Sequence, residues 1–125
     1  MADIYRGSHV YVSPTWGEGF GLALLDAMAA ARPVITSNWG GHLSFVAESD
    51  DLLPVQRIPA GGYLYADAPG AELAVPEVDA LVSRLRWHYE HRAESRASGL
   101  KNREIAQPWS WRRSVDRLER MFDGC

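Results

Sequence analysis

Two carboxylates, Glu18 and Asp26, stand eight positions apart in the stretch WGEGFGLALLDAMAAARPVITSNWGG, Trp16 to Gly41. Gly17, Gly19 and Gly21 alternate around the first of them, and alternate glycines let a backbone approach a ligand closely. A helix starting near Gly21 would aim its unpaired N–H groups at that ligand, and such a terminus attracts anions, phosphate above all. A carboxylate beside a phosphate site is unfavourable unless it faces another part of the ligand, such as sugar hydroxyls that donate to it. Asp26 follows about a turn and a half into the helix, among Leu22, Leu24, Leu25, Met28 and alanines. A carboxylate buried there requires partners. Acids flanking a helix N-terminus fit a ligand with hydroxyls at both ends and phosphates between. Two plainer readings stay open: Asp26 as a structural acid paired with Arg32 or a backbone donor, and Glu18 as a solvated loop residue favouring the helix dipole.

Other chemistry is weaker. The glycines read G-x-G-x-G rather than G-x-G-x-x-G, and no acid stands near Ser37 or Asn38, so a dinucleotide fingerprint fails on spacing. His88 and His91 lie three apart on a helix without a convincing third ligand, and read as surface or boundary histidines rather than a metal site. His9 and His42 stand alone at element edges and carry no signal. Ser13 precedes Pro14, which is no nucleophile elbow. No metal or cofactor is expected. Trp16 and Trp39 sit in loops after strands, where open α/β sheets bind ligands, whereas Trp87 and Trp111 read as packing residues.

The elements that must position these residues follow from periodicity. HVYVSP (His9–Pro14) and PVITSN (Pro33–Asn38) are apolar, β-branched runs, and Gly21–Ala31 between them is too long and alanine-rich for a strand. This is a β-α-β unit with parallel strands covered on both faces. Gly40-Gly41 opens a short helical piece through Val46, and GGYLYAD (Gly61–Asp67) reads as a third strand. From Pro76 a helix of about four turns puts Val78, Leu81, Val82, Leu85 and Tyr89 on one face. A weaker helix, interrupted by Gly99, runs to Gln107, and Pro108 ends it. Ser110 can cap a last helix whose buried stripe is Trp111, Val115, Leu118 and Phe122.

The 125 residues suit one domain, 1–125, with 46% apolar and 23% charged side chains, which argues against disorder. No apolar run reaches the roughly 20 residues that span a bilayer and no leader pattern is present, so the chain reads as cytoplasmic. The lone cysteine, Cys125, excludes an internal disulfide. Residues 1–83 hold three arginines against ten acids, whereas residues 84–125 hold ten Lys/Arg against six acids. Acids interleave with the later arginines as on a solvated helix face, so no nucleic-acid partner is expected, and contact with an anionic membrane surface has weak support.

VSPTWGEGFGLALLDAMAAARPVITSNWGG resembles the signature of retaining, GT-B-fold glycosyltransferases of family 4, P-S-x-x-E-G-F-G-L-x-x-x-E-A-M-A-x-G-x-P-V-I. The match is nearly unbroken from Val12 to Gly41, and the chain resembles the last third or so of a full member. The resemblance implies a Rossmann-like α/β fold: a parallel sheet of about three strands with flanking and C-terminal helices. It implies a donor site for a nucleotide sugar (UDP-, GDP- or ADP-linked) at Glu18, Gly19, Phe20, Gly21, Leu22 and Asp26. Glu18, the candidate catalytic residue, would face sugar hydroxyls and Asp26 the ribose. The N–H groups of Phe20, Gly21 and Leu22 would face the sugar and diphosphate. Asp26 stands where Glu is usual, one methylene shorter, and Arg32 where a glycine or small residue is common before Pro-Val-Ile. The family's diphosphate-binding Arg and Lys and its acceptor domain lie upstream of the stretch matched here, so transfer by this chain alone is not expected. The alternative is a non-catalytic, partner-binding module that needs a separate N-terminal half. Strand 9–13, internal in the family arrangement, would become an edge and favour a homodimer.

Overall fold

The computed structural model describes residues 2–46, 51–61 and 70–123. A short helix α1 (Ala2–Gly7) leads into β1 (Tyr11–Ser13), helix α2 (Leu22–Ala29) and β2 (Val34–Ser37). Helix α3 (Leu43–Val46) and β3 (Leu52–Leu53) follow, then the hairpin strands β4 (Val55–Pro59) and β5 (Glu72–Pro76). Helices α4 (Val78–Glu90), α5 (Arg92–Ala106) and α6 (Trp111–Asp123) complete the order, the last two joined by a 3-10 turn at Gln107–Trp109. The sheet order is β1-β2-β3, all parallel, with Val12 opposite Ile35 and Thr36 opposite Leu52. The β-α-β unit expected around Asp26 is therefore present, in a three-stranded Rossmann-like arrangement. Its third strand is Leu52–Leu53; the Gly61–Asp67 strand falls, from residue 62 on, outside the described residues.

All four residues of β2 are buried, because helices and neighbouring strands cover both its faces. Leu24, Leu25, Ala27 and Met28 of α2 pack on it with Val34, Phe45, Val46 and Ala106, and Tyr5 and Tyr11 close one side. Fully burying a side chain the size of Met28 or Ile35 contributes roughly 2 kcal/mol each.

Helix α2 ends in a Schellman motif: Ala31 N–H donates to Met28 O (2.9 Å) and Arg32 N–H to Ala27 O (3.0 Å). The residue carrying the left-handed turn is Ala31, φ 59°, so the position that wants glycine's freedom is Ala31 and not Arg32. Arg32 instead donates to Ala30 O and Ser8 O, tying the helix end to the chain before β1. Ala31→Gly should raise the unfolding free energy by about 1 kcal/mol, because it removes the Cβ penalty at that φ. Urea denaturation checks this; an unchanged or lowered midpoint contradicts it.

The C-terminal helices depart from the sequence reading. Helix α5 runs unbroken through Gly99, which is buried against the Ala31 carbonyl at a point where a Cβ would not fit. With Ser95, Asn102 and Ala106 it makes a stripe of small residues that brings α5 close to the end of α2, and Asn102 donates to Arg32 O at 3.1 Å. Helix α4 forms where expected, but its stripe is not buried: Val78 is 70% exposed and Tyr89 71%. Its buried residue is His88, read from sequence as a surface or boundary residue. His88 lies between Asp51 (Nε2 to Oδ1, 3.1 Å) and Ser95 Oγ (Nδ1, 2.8 Å), polar partners supplied by the chain before β3 and by α5. Ser110 Oγ does cap α6, accepting from Arg113 N–H at 3.4 Å. The α6 stripe is nevertheless solvent-facing, Trp111 and Phe122 being exposed along with the charged residues between them, since among the described residues only the preceding turn packs closely on this helix. Trp111 is thus no packing residue here, while Trp87 stacks on His91 with centroids 5.1 Å apart.

Candidate functional site

At the carboxyl ends of β1 and β2 two loops, 14–21 and 38–42, are locked together. Thr36 Oγ1 donates to Ser13 O (3.0 Å) and Ser37 Oγ to Thr15 O (2.6 Å), so the end of β2 holds the start of the first loop. Gly41 N–H donates to Glu18 O at 2.9 Å. Gly41 has no room for a side chain because the Gly19 carbonyl fills that space, and a Cβ on Gly40 (φ 128°) would stand 2.9 Å from Glu18 O. Gly40 and Gly41 are small because one loop must rest on the other, a reason the sequence reading did not identify.

Gly21 caps α2 with a left-handed backbone, φ 88° and ψ 48°, and no side chain accepts from the first-turn N–H groups. The first turn also carries no acid. A Cβ at Gly21 would lie 3.0 Å from His42 Cβ, so only glycine fits both the conformation and the space. The helix therefore presents an uncapped N-terminus at the carboxyl end of the sheet, the place where open α/β sheets bind ligands.

Around it, Glu18 is half-buried, Gly19 exposed, Gly21 buried and Phe20 partly exposed. Phe20 packs with Phe45 and Trp109 in a trio of rings 5.3–5.6 Å apart, which fastens the loop to the turn before α6. Trp109 was missed in the sequence, its signal being the W-S-W run that introduces the last helix.

Asp26 corrects an expectation. It is exposed rather than buried, on the same face as Leu22 and Ala29, so it needs no protein partner. Its apolar sequence neighbours point elsewhere, successive side chains being turned by about 100° around a helix. Arg32, the partner weighed for it, is engaged with backbone carbonyls. Neither the Glu18 nor the Asp26 carboxylate makes a hydrogen bond or ion pair among the described residues. Asp26 is close enough to Tyr5 to help burial push that hydroxyl above its ordinary pKa. From the helix start at Leu22 to Asp26 is about 6 Å along the axis.

Positive charge is scarce at the rim. Arg6 pairs with Asp3, Arg32 is spent on carbonyls, and Arg57 lies over the Trp39 ring at 5.6 Å while bonding Glu72 at 3.2 Å. The hairpin carrying Arg57 is held to the first loop by Ala74 N–H donating to Trp16 O at 2.9 Å. A separate open groove of about 410 Å³ lies between β3 and α4, with Arg84 and Trp87 in its wall. Among the described residues no three metal-ligating side chains group together, and no helix is long and apolar enough to cross a membrane.

A family model described as glycosyl transferases group 1 matches residues 1–85, which include both loops and α2. The chain is 31% identical over 118 residues to a D-inositol 3-phosphate glycosyltransferase of Saccharomonospora viridis, a match covering 94% of this chain and 23% of that protein. It is 25% identical over 118 residues to sulfoquinovosyl transferase SQD2 of Arabidopsis thaliana, covering 94% of this chain and 20% of the relative. A D-inositol 3-phosphate glycosyltransferase of Rhodococcus opacus is 44% identical over 41 residues, 33% of this chain and 9% of that one. The chain thus spans about a fifth to a quarter of the length of the first two. No solved structure matches significantly.

Proposed function

The chain belongs to the glycosyl transferases group 1, and from that premise we propose that the 14–21 loop and the start of α2 form the sugar-and-diphosphate part of a nucleotide-sugar donor site. The observation that carries this reading is the uncapped, left-handed Gly21 terminus beside a Glu18 carboxylate that has no partner among the described residues. Glu18 accepts hydrogen bonds from donor-sugar hydroxyls. The N–H groups of Phe20, Gly21 and Leu22 face the diphosphate, and the positive end of the helix dipole lies behind them. Asp26, on the exposed face about one turn along and with no side-chain bond among the described residues, accepts from the ribose diol.

In the whole enzyme an acceptor hydroxyl oxygen forms a bond to the anomeric carbon as the bond from that carbon to the diphosphate breaks, and the hydroxyl proton passes to the departing diphosphate oxygen. The charge left on the diphosphate is stabilised by groups already aimed at it, which spares reorganisation at the moment of reaction. The helix terminus supplies part of that stabilisation, and the arginines of this half, each engaged elsewhere, supply little. Transfer therefore requires cations from beyond residues 1–83, from a longer protein or from a second chain.

The exposed stripes of α4 and α6 favour a further reading, a module completed by a separate N-terminal half that covers them. β1, an edge strand with Val12 partly exposed, offers a second copy a place to pair.

Ligand-detected NMR with UDP-glucose, GDP-mannose and ADP-glucose tests the donor site. The wild-type chain should bind at least one, and Glu18→Gln and Asp26→Ala should each weaken that binding about tenfold, the value of one good hydrogen bond to a charged group. A folded chain that binds none of the three overturns the donor reading and leaves the partner-chain one. Variants that bind like the wild type overturn the roles given to the two acids.

A further inference from the structure

His42 lies fully buried directly beneath the donor loop, and one of its ring nitrogens has no partner among the described residues. Nε2 is 2.8 Å from Ser37 O, and since a carbonyl can only accept, Nε2 carries the hydrogen and donates. Thr36 Oγ1, 3.3 Å from the same nitrogen, already donates its own hydrogen to Ser13 O and can only accept from the ring. The neutral imidazole then has its lone pair on Nδ1. That atom is shut away from solvent and accepts from nothing among the described residues, an arrangement that costs stability unless it serves something.

The surroundings of Nδ1 indicate what it serves. It stands 3.2 Å from the place a Cβ on Gly40 would take, and Glu18 Cβ stands 3.3 Å from that same place. At Gly21 the corresponding point is 3.0 Å from His42 Cβ and 3.5 Å from Glu18 Cγ. The imidazole and the Glu18 side chain thus approach each other across two positive-φ glycines, Gly21 at the start of α2 and Gly40 in the 38–42 loop.

Resting on the donor-site reading above, we propose that His42 is a positioning residue for Glu18. Its Nε2–H anchors the loop to β2. Its Nδ1 lone pair accepts one hydrogen of a bound water, whose other hydrogen goes to the Glu18 carboxylate when the donor is in place. The ring thereby fixes the direction in which Glu18 presents its carboxylate. The ligand class is a polyhydroxylated sugar joined to a nucleoside diphosphate, because Glu18 and His42 then offer two acceptors to one hydroxyl network.

Two substitutions separate this role from packing. His42→Gln keeps an N–H at the reach of Nε2 for Ser37 O but offers no acceptor at the Nδ1 position. His42→Asn keeps a polar atom near the Nδ1 position and gives up the anchor. The expected result for His42→Gln is a melting temperature near the wild type's and a donor affinity lowered about tenfold with UDP-glucose, GDP-mannose or ADP-glucose, whichever the wild type binds. His42→Asn should melt earlier and retain more of the affinity than His42→Gln at a temperature where both are folded. In the wild type, the Nδ1 resonance of ring-labelled His42 should move toward the hydrogen-bonded position as donor is added. A His42→Gln variant that binds like the wild type overturns the proposal while leaving the donor site standing, as does an Nδ1 resonance unmoved at saturating donor. Should His42→Gln fail to fold, the wild-type Nδ1 resonance decides alone. A wild-type chain that binds no donor overturns both.

Discussion

Gly41→Ala should destabilise the chain by about 3 kcal/mol and abolish donor binding, at the upper end of what overpacking does. The added Cβ would be driven into the carbonyl of Gly19, and backbone cannot rotate aside as the end of a flexible side chain can. Relief requires the two loops to separate, which breaks the Gly41 N–H bond to Glu18 O and moves Glu18 and the start of α2 together. Gly17→Ala and Gly19→Ala are the controls, since a Cβ at either meets nothing within 4 Å. They should change stability by no more than about 0.5 kcal/mol, as surface substitutions do. Urea denaturation of the three variants decides the matter: a Gly41→Ala midpoint equal to that of the controls would show that the loops are not in contact.

Gly99→Ala should destabilise by about 2 kcal/mol, against the ordinary trend. Inside an exposed helix this change gains about 1 kcal/mol, because alanine is the better helix former. Here the Cβ would run into the Ala31 carbonyl and come within 3.1 Å of Pro33 Cδ, so α5 would have to lift from the end of α2. Lifting it also strains the Asn102 bond to Arg32 O, one of the ties between the C-terminal helices and the sheet. A raised melting temperature for Gly99→Ala would contradict the close helix contact.

Which features the sequence disclosed depends on the range of the physics involved. The β-α-β unit was legible because two β-branched runs flank an alanine-rich one, and the glycine loop because it falls where one strand ends and a helix begins. Asp26 was misjudged because its neighbours in sequence are apolar, while the helix turns it toward Leu22 and Ala29 on the open side. His88 required Asp51 and Ser95, which lie far from it along the chain or on another helix, so no local pattern announced its burial. His42 looked like an isolated histidine for the same reason, its partners being Ser37 and Thr36 at the end of β2. The stripes of α4 and α6 show the opposite limit. Periodicity identified the apolar face correctly, but a sequence does not say whether anything lies against it, and here those faces are open. Glycine has several uses, and only the structure separated Gly21, required by backbone conformation as well as space, from Gly41 and Gly99, required by space alone.

The most direct test of the account is an amide map of the ¹⁵N-labelled chain titrated with UDP-glucose, GDP-mannose and ADP-glucose. Perturbations should concentrate at residues 18–23, at Asp26 and at residues 40–42, the two loops and the first turns of α2. Perturbations confined to the groove between β3 and α4, around Arg84 and Trp87, or none at any donor concentration, would contradict it.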